Sequence, residues 1–358
     1  MDYRESLAYL EQIQEDGAKF SLDNIQVIID HFPYDLQKIS FVQVGGTNGK
    51  GSTSHGIASV LVEGGYRVGL FTSPHLFDLR ERIALNRDWI SKEAFAECLT
   101  QVMDLTTELI LSGIIPTKPS FFEHMLLTAL IFFSREQVDF AVLEVGLGGR
   151  LDATTTIKPV LSIITNVSYD HMKILGKNLK TIAAEKAGIV KPGVPLICAC
   201  SSRSTGFRII RQRCQETEAP FEAVFSDRYR LALERENDNN PVYTYSTPET
   251  VFRFTPGMNG RHQATNSATV IRSAELLNSI GKTTLSKEAI LSGIMKCRVP
   301  GRMEWFSTKP PVLVDGGHNV PGINALVTYL DDIALKNITL VFGVLRDKQY
   351  TRMIKTLL

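Results

Sequence analysis

With 358 residues, 44% of them apolar and 22% charged, the chain has the composition of a globular protein and length for two or three domains with ordinary cores. A formal charge of +1 gives no electrostatic reason to expect nucleic acid or an anionic membrane as partner. Five cysteines (Cys98, Cys198, Cys200, Cys214 and Cys297) show neither disulfide-scaffold nor metal-ligand spacing, and the charged N-terminus lacks a signal-peptide core, so the expected compartment is the reducing cytoplasm.

Tyr3, Leu7, Leu10 and Ile13 share one helical face, and a second helix is predicted over 22–31. Strands are predicted over 39–44, 68–72, 140–145, 160–165 and 194–199, with helices over 54–63, 92–109, 121–134 and 179–190. That alternation predicts a parallel sheet covered on both faces. The apolar run near 125–133 is too short to span a bilayer. Alternating residues over 229–235 and 242–245 flank Asp238-Asn239-Asn240-Pro241 and predict an antiparallel hairpin. A helix is predicted over 266–277 and a linker over 298–302; strands at 312–314 and 338–342 open a second small α/β unit.

The segment Val44-Gly45-Gly46-Thr47-Asn48-Gly49-Lys50-Gly51-Ser52-Thr53 joins the first strand to a helix. Strand, glycine-rich loop and helix N-terminus together surround a phosphate with backbone N–H groups. Lys50 adds a point charge for the β/γ oxygens. The common phosphate loop follows its lysine with a hydroxyl residue that holds Mg²⁺. Here Gly51 stands at that place and Ser52 comes one later, so the metal needs ligands from elsewhere.

The unusual polar residues all follow strands, at the edge where open α/β sheets bind ligands. Glu144 ends a buried strand, the position where a carboxylate holds Mg²⁺, and Ser73 and His171 are candidate co-ligands. Read alone, Ser73 and His171 are ordinary polar residues, and Lys186 is a solvated helix lysine. The loop from Ser73 to Arg82 mixes apolar Leu76 and Phe77 with basic Arg80 and Arg82, a surface suited to an aromatic ring with a carboxylate tail.

Taken together, these segments resemble the folylpolyglutamate synthase/dihydrofolate synthase family of the Mur ligase superfamily. The resemblance rests on the phosphate loop, Thr72-Ser73-Pro74-His75-Leu76, Phe122-Glu123, the stretch from Glu144 to Thr154 containing Gly146-Leu147-Gly148-Gly149-Arg150-Leu151-Asp152, Asp170-His171, Glu185-Lys186-Ala187-Gly188, Gly260-Arg261-His262-Gln263-Ala264-Thr265-Asn266, Pro300-Gly301-Arg302 and Gly343-Val344-Leu345-Arg346-Asp347-Lys348. It implies an α/β fold. A parallel-sheet P-loop ATPase-like domain with an antiparallel hairpin, residues 1–298, precedes a smaller Rossmann-like α/β domain, 299–358, which is expected to be incomplete because family members run on further.

The same resemblance implies an ATP-dependent ligase that adds L-glutamate to a folate or to dihydropteroate through an acyl phosphate. Thr47, Asn48, Gly49, Lys50, Gly51, Ser52, Thr53, Gln263, Asn266 and Arg302 would then contact nucleotide. Ser73, Glu144 and His171 would hold Mg²⁺, with K⁺ a further candidate and Lys186 a candidate carbamate. Lys50, Lys186, Asp315 and His318 would serve catalysis; Leu76, Phe77, Arg80, Arg82, Phe122, Arg150 and Asp152 would meet the substrate. The implied enzyme is a monomer without nucleic-acid or membrane partners. The chain departs from the family it resembles, which usually has alanine where Gly45 stands and Asp-Gly-Ala-His-Asn-Pro where this chain has Asp315-Gly316-Gly317-His318-Asn319-Val320. A peptidoglycan Mur ligase and a nucleotide-binding remnant without ligase activity are the alternative readings.

Overall fold

Eight strands form the main sheet: β1 (Ser40–Gly45), β2 (Val68–Phe71), β3 (Ile83–Leu85), β4 (Asp88–Trp89), β5 (Phe140–Glu144), β6 (Leu161–Ile164), β7 (Leu196–Cys198) and β8 (Phe221–Ala223). Their spatial order is β4-β3-β2-β5-β1-β6-β7-β8. From β2 to β8 the neighbours run parallel, and β3 and β4 add an antiparallel edge. The computed structural model describes residues 1–15, 22–235, 241–346 and 348–358.

Burial on both faces explains the continuous apolar runs. Val42, Val44 and Val142 point to one side, against helices Lys50–Glu63, His262–Ser279 and Lys287–Lys296. Phe41, Ala141 and Leu143 point to the other, against Tyr3–Glu15, Asp23–Asp30, Lys92–Leu111 and Phe121–Arg135. Large side chains such as Phe71, Phe95 and Phe133 are fully buried there, each contributing about 1.5–3 kcal/mol by removal from water. Helix Lys50–Glu63 is buried nearly all round, because small residues admit its neighbours: a Cβ on Gly293 would lie 2.5 Å from Val60 Cα.

Helix starts follow their caps. Ser91 accepts from the Ala94 amide at 3.0 Å, Asn178 from that of Thr181 at 3.0 Å, and Ser120 forms a capping box with Glu123.

The predicted hairpin is present as β9 (Arg230–Arg235) and β10 (Val242–Ser246), antiparallel. Its expected turn residues Asp238, Asn239 and Asn240 lie outside the described residues. A third strand, β11 (Val251–Phe254), extends it, and Tyr243, Tyr245, Phe252 and Phe254 pack into the first core.

Towards the C-terminus, β12 (Glu304–Thr308) and β13 (Pro311–Val314) pair antiparallel, followed by helices Val320–Asp332 and Tyr350–Leu357. The strand expected at 312–314 is β13. The strand expected at 338–342 does not form: the backbone there pairs with no strand, and Val341 is 95% exposed. Its apolar residues have strand propensity, but propensity is expressed only on a pleated, half-buried surface.

No helix among the described residues is long and apolar enough to cross a membrane. All five cysteines are free and buried.

Candidate active site

Register brings the strand ends together. Val44 lies beside Glu144 and Gly45 beside Ile164, so the loops after β1, β5 and β6 leave the sheet side by side. The loop after β1 is held from below. Asn166 accepts from the amide of Asn48 at 3.0 Å through its side chain and from that of Thr47 at 2.9 Å through its carbonyl. Thr165 Oγ1 and Asn166 Nδ2 donate to the Asn48 carbonyl at 2.7 and 2.8 Å. Gly49 has φ 81°, and a Cβ there would meet Asn266 Oδ1 at 2.6 Å, so glycine is required on both counts. Lys50 opens the helix and folds back, donating to the Thr47 carbonyl at 3.3 Å.

Gly51 explains the displaced hydroxyl. A Cβ on it would lie 3.4 Å from Glu144 Oε2, so the carboxylate comes up against this position. Ser73 meets the same oxygen, its amide donating to Oε2 at 3.1 Å.

These residues line a cavity of about 1200 Å³. The phosphate loop lines it together with Ser73, Glu144 and Lys186. Arg82, Phe122, Glu123, Leu151 and Asp152 line it as well. Arg302, Asp315, His318 and Lys348, from the C-terminal part of the chain, complete the lining with Asp170 and His171.

Burial sets the electrostatics. It lowers the Lys186 pKa to about 7, helped by the charge of Lys50. Lys186 Nζ donates to the Gly46 carbonyl at 2.7 Å. Burial raises the Glu144 pKa against the opposing pull of Lys50, the Ser73 amide, Arg302 and Arg82. It pushes Arg82 down to about 10 against Glu144 and Glu81. Burial raises Asp152 as well, against hydrogen bonds from Thr154 and the Leu147 amide. Asp170 is the opposite case: burial would raise its pKa, but hydrogen bonds from His318 and Lys348 outweigh it and hold the carboxyl below its ordinary range.

Asp315 is fixed by backbone, accepting from the amides of Met303 at 3.0 Å and Gly317 at 2.8 Å. His318 places Nδ1 3.0 Å from the Gly316 carbonyl and turns Nε2 towards Asp170. His171 has φ 46° and stands at the start of the short helix Met172–Leu175.

Several expected residues lie off the cavity. Phe77 is 88% exposed, and Leu76 packs against Gly301, where a Cβ would come within 2.8 Å of its Cδ1. Arg80 is paired with Asp78 at 2.7 Å and sits 5.7 Å over the Tyr3 ring. Arg150 pairs with Glu185 at 3.0 Å on the surface. Gln263 and Asn266 pack behind the phosphate loop, joined to each other at 2.8 Å. Thr53 is buried within the helix. Three polar residues given no role from the sequence meet one another instead: Asp170 accepts from Asn319 and Lys348. Their membership in polar strand-end and loop motifs was the available signal; their convergence has no local one.

The arrangement has counterparts in known proteins. Residues 44–274 match the family model of the Mur ligase middle domain, and 301–357 that of the Mur ligase glutamate ligase domain. The chain is 35% identical to a dihydrofolate synthase/folylpolyglutamate synthase of Bacillus subtilis, an alignment over 99% of this chain and 82% of the relative. Its fold matches an FPGS–AMPPCP–folate complex with a TM-score of 0.90 at 28% identity, covering 100% of this chain and 87% of the other. It matches E. coli FolC in complex with DHPP and ADP with a TM-score of 0.84 at 26% identity, covering 100% and 81%.

Proposed function

This chain belongs to the folylpolyglutamate synthase/dihydrofolate synthase family of Mur ligases, and on that premise we propose that it joins L-glutamate to a folate or to dihydropteroate with ATP. The carboxylate of the folate or pteroate attacks the γ-phosphorus and ADP leaves. The glutamate amine then attacks the acyl phosphate carbonyl, losing a proton as phosphate departs. The observation that carries the reading is one cavity lined both by the phosphate loop and by aromatic and acidic side chains, Phe122, Glu123 and Asp152 among them.

In this reading the amides from Thr47 to Ser52 and the Lys50 ammonium hold the triphosphate at a helix N-terminus. Arg302, which lines the same cavity, adds charge. Phe122 offers a face to a flat heterocycle, and Asp152 with Arg82 its polar groups. Asp315 and His318 meet the nucleotide and the incoming glutamate.

Glu144 suits a hard divalent cation, being a buried carboxylate that takes an amide hydrogen bond from Ser73 on one oxygen. No group of three His, Cys, Asp or Glu residues converges as a closed cage among the described residues. That fits Mg²⁺, which keeps waters and phosphate oxygens beside one or two carboxylates. Glu144, Ser73 and His171 would hold it, and it would neutralise charge developing on the phosphoryl group. Lys186, with its lowered pKa, supplies the neutral amine that adds CO₂ and releases a proton to become a carbamate.

Residues 1–298 serve in this account as the ATP-binding domain, with 299–358 belonging to the glutamate-ligase domain. The enzyme acts as a cytoplasmic monomer, its buried thiols reduced.

The test is incorporation of labelled glutamate into dihydropteroate and into tetrahydrofolate, each with and without ATP. ATP-dependent incorporation into either acceptor is expected. Nucleotide binding without incorporation into either would favour a nucleotide-binding remnant and overturn the reading.

A further inference from the structure

Asp170 is a carboxylate whose side chain is only 7% exposed, on the loop after β6. Its Oδ1 accepts from Lys348 Nζ at 2.6 Å. Its Oδ2 accepts from Asn319 Nδ2 at 3.3 Å and faces His318 Nε2 at 3.5 Å. Three side chains from beyond β13 therefore close on one acid of the main-sheet region. Lys348 is itself 9% exposed, so neither charge is left to water.

Asn319 carries the connection onward. Its Nδ2 donates to Asn48 Oδ1 at 2.8 Å, and Asn48 Nδ2 returns a bond to Asn319 Oδ1 at 3.3 Å. The same Oδ1 accepts from the Gly322 amide at 3.0 Å and caps helix Val320–Asp332. Asn48 belongs to the phosphate loop. Asp170, Asn319 and Asn48 thus form a polar chain from that loop to the helix start beside His318.

We propose that Asp170 is a positioning residue, which seats His318 and Lys348 against the phosphate loop so that glutamate is presented to the activated carboxylate. The inference rests on the ligase reading. A group displaced by about 1 Å from productive geometry costs on the order of 10²-fold in rate. A buried ion pair stripped of one partner leaves the other uncompensated, which loosens the segment that carries it. Asp170 touches no substrate in this account; it acts through His318 and Lys348.

The experiment compares the full chain with Asp170→Asn, Lys348→Met and the double variant in steady-state ADP release. Asp170→Asn should lower kcat roughly 10- to 100-fold and raise the glutamate KM. The KM values for ATP and folate, and the Mg²⁺ needed for half-maximal rate, should stay within about twofold. The double variant should be no worse than the poorer single one, because both remove the same pair. A normal kcat in Asp170→Asn, or losses that simply multiply, would overturn the proposal. So would a raised Mg²⁺ requirement, which would assign Asp170 to orienting its neighbour His171.

Hydrogen exchange on the substrate-free proteins gives a readout independent of turnover. Asp170→Asn should speed exchange in helix Val320–Asp332 and leave β1, β5 and β6 protected. Unchanged exchange in that helix would contradict the seating role. If the unaltered chain shows no glutamate-dependent turnover, the ligase reading fails, and the exchange comparison still decides whether Asp170 holds the segment.

Discussion

Lys186 Nζ donates to the carbonyl of Gly46 at 2.7 Å, tying the last turn of helix Leu179–Ala187 to the first residue of the phosphate loop. An amine pulled down to about 7 holds a far larger neutral fraction at neutral pH than an exposed lysine does. Above that pKa the free base predominates, and the free base is the form that takes up CO₂. With ¹³C-bicarbonate, a carbamate NMR signal should grow as pH rises through 7 and be missing in Lys186→Met. An equal signal in Lys186→Met would show that no carbamate forms at this lysine.

Lys50 is the cation built into the phosphate loop. Lys50→Ala should lower turnover by ~10² or more, the scale of a lost transition-state charge contact. The helix itself should survive, since its burial comes from Ile57, Val60 and Leu61 on later turns. Normal turnover in a folded variant would remove the loop from the phosphate site.

Glu144 comes up against Gly51, where other phosphate loops carry a metal-binding hydroxyl. Glu144→Gln and His171→Ala should each raise the Mg²⁺ concentration for half-maximal activity several-fold. An unchanged Mg²⁺ dependence in both would refute the ligand set.

The substrate end separates two phenylalanines. Phe122 lines the cavity, while Phe77 is 88% exposed outside it. Phe122→Ala should raise the folate KM about tenfold, with the ATP KM unmoved; Phe77→Ala should leave both close to normal. Equal effects from the two substitutions would place the pteridine outside this cavity.

Much of this was legible in the sequence. Five of the six parallel strands have apolar runs and were predicted, while the sixth, β8, is only three residues long and was not; the phosphate loop and Glu144 follow from strand ends, where local pattern and chemistry coincide. Arg80 and Arg82 were locally equivalent, two basic residues in one loop. Only the fold separates them, giving Arg80 to Asp78 and Arg82 to the cavity. The strand expected at 338–342 failed because propensity does not say whether a neighbour is there to pair. Asp170, Asn319 and Lys348 were hidden for a related reason: their partners lie 149 and 178 residues apart along the chain.

Glu63 ties helix Lys50–Glu63 to helix Lys287–Lys296, accepting from Lys296 Nζ and Ser292 Oγ, each at 2.7 Å, and pairing with Arg87. The Lys296 bond foremost, then Ser292 and Arg87, lower its pKa from 4.5 to about 2. A depressed carboxyl pKa stabilises the fold fully above 4.5, and that contribution is lost as pH falls through about 2. Glu63→Gln should therefore lower Tm at neutral pH, with the gap to the unaltered chain closing as pH falls towards 2. A gap independent of pH would mean the carboxylate charge contributes nothing.

Glutamate ligation by the 358-residue chain is read most directly as ADP release, measured with dihydropteroate or tetrahydrofolate, with and without glutamate. A glutamate ligase of this family must release ADP only when ATP, one of the two acceptors and glutamate are present together. Release indifferent to glutamate, or none with either acceptor from a protein that binds nucleotide, would contradict ligase activity.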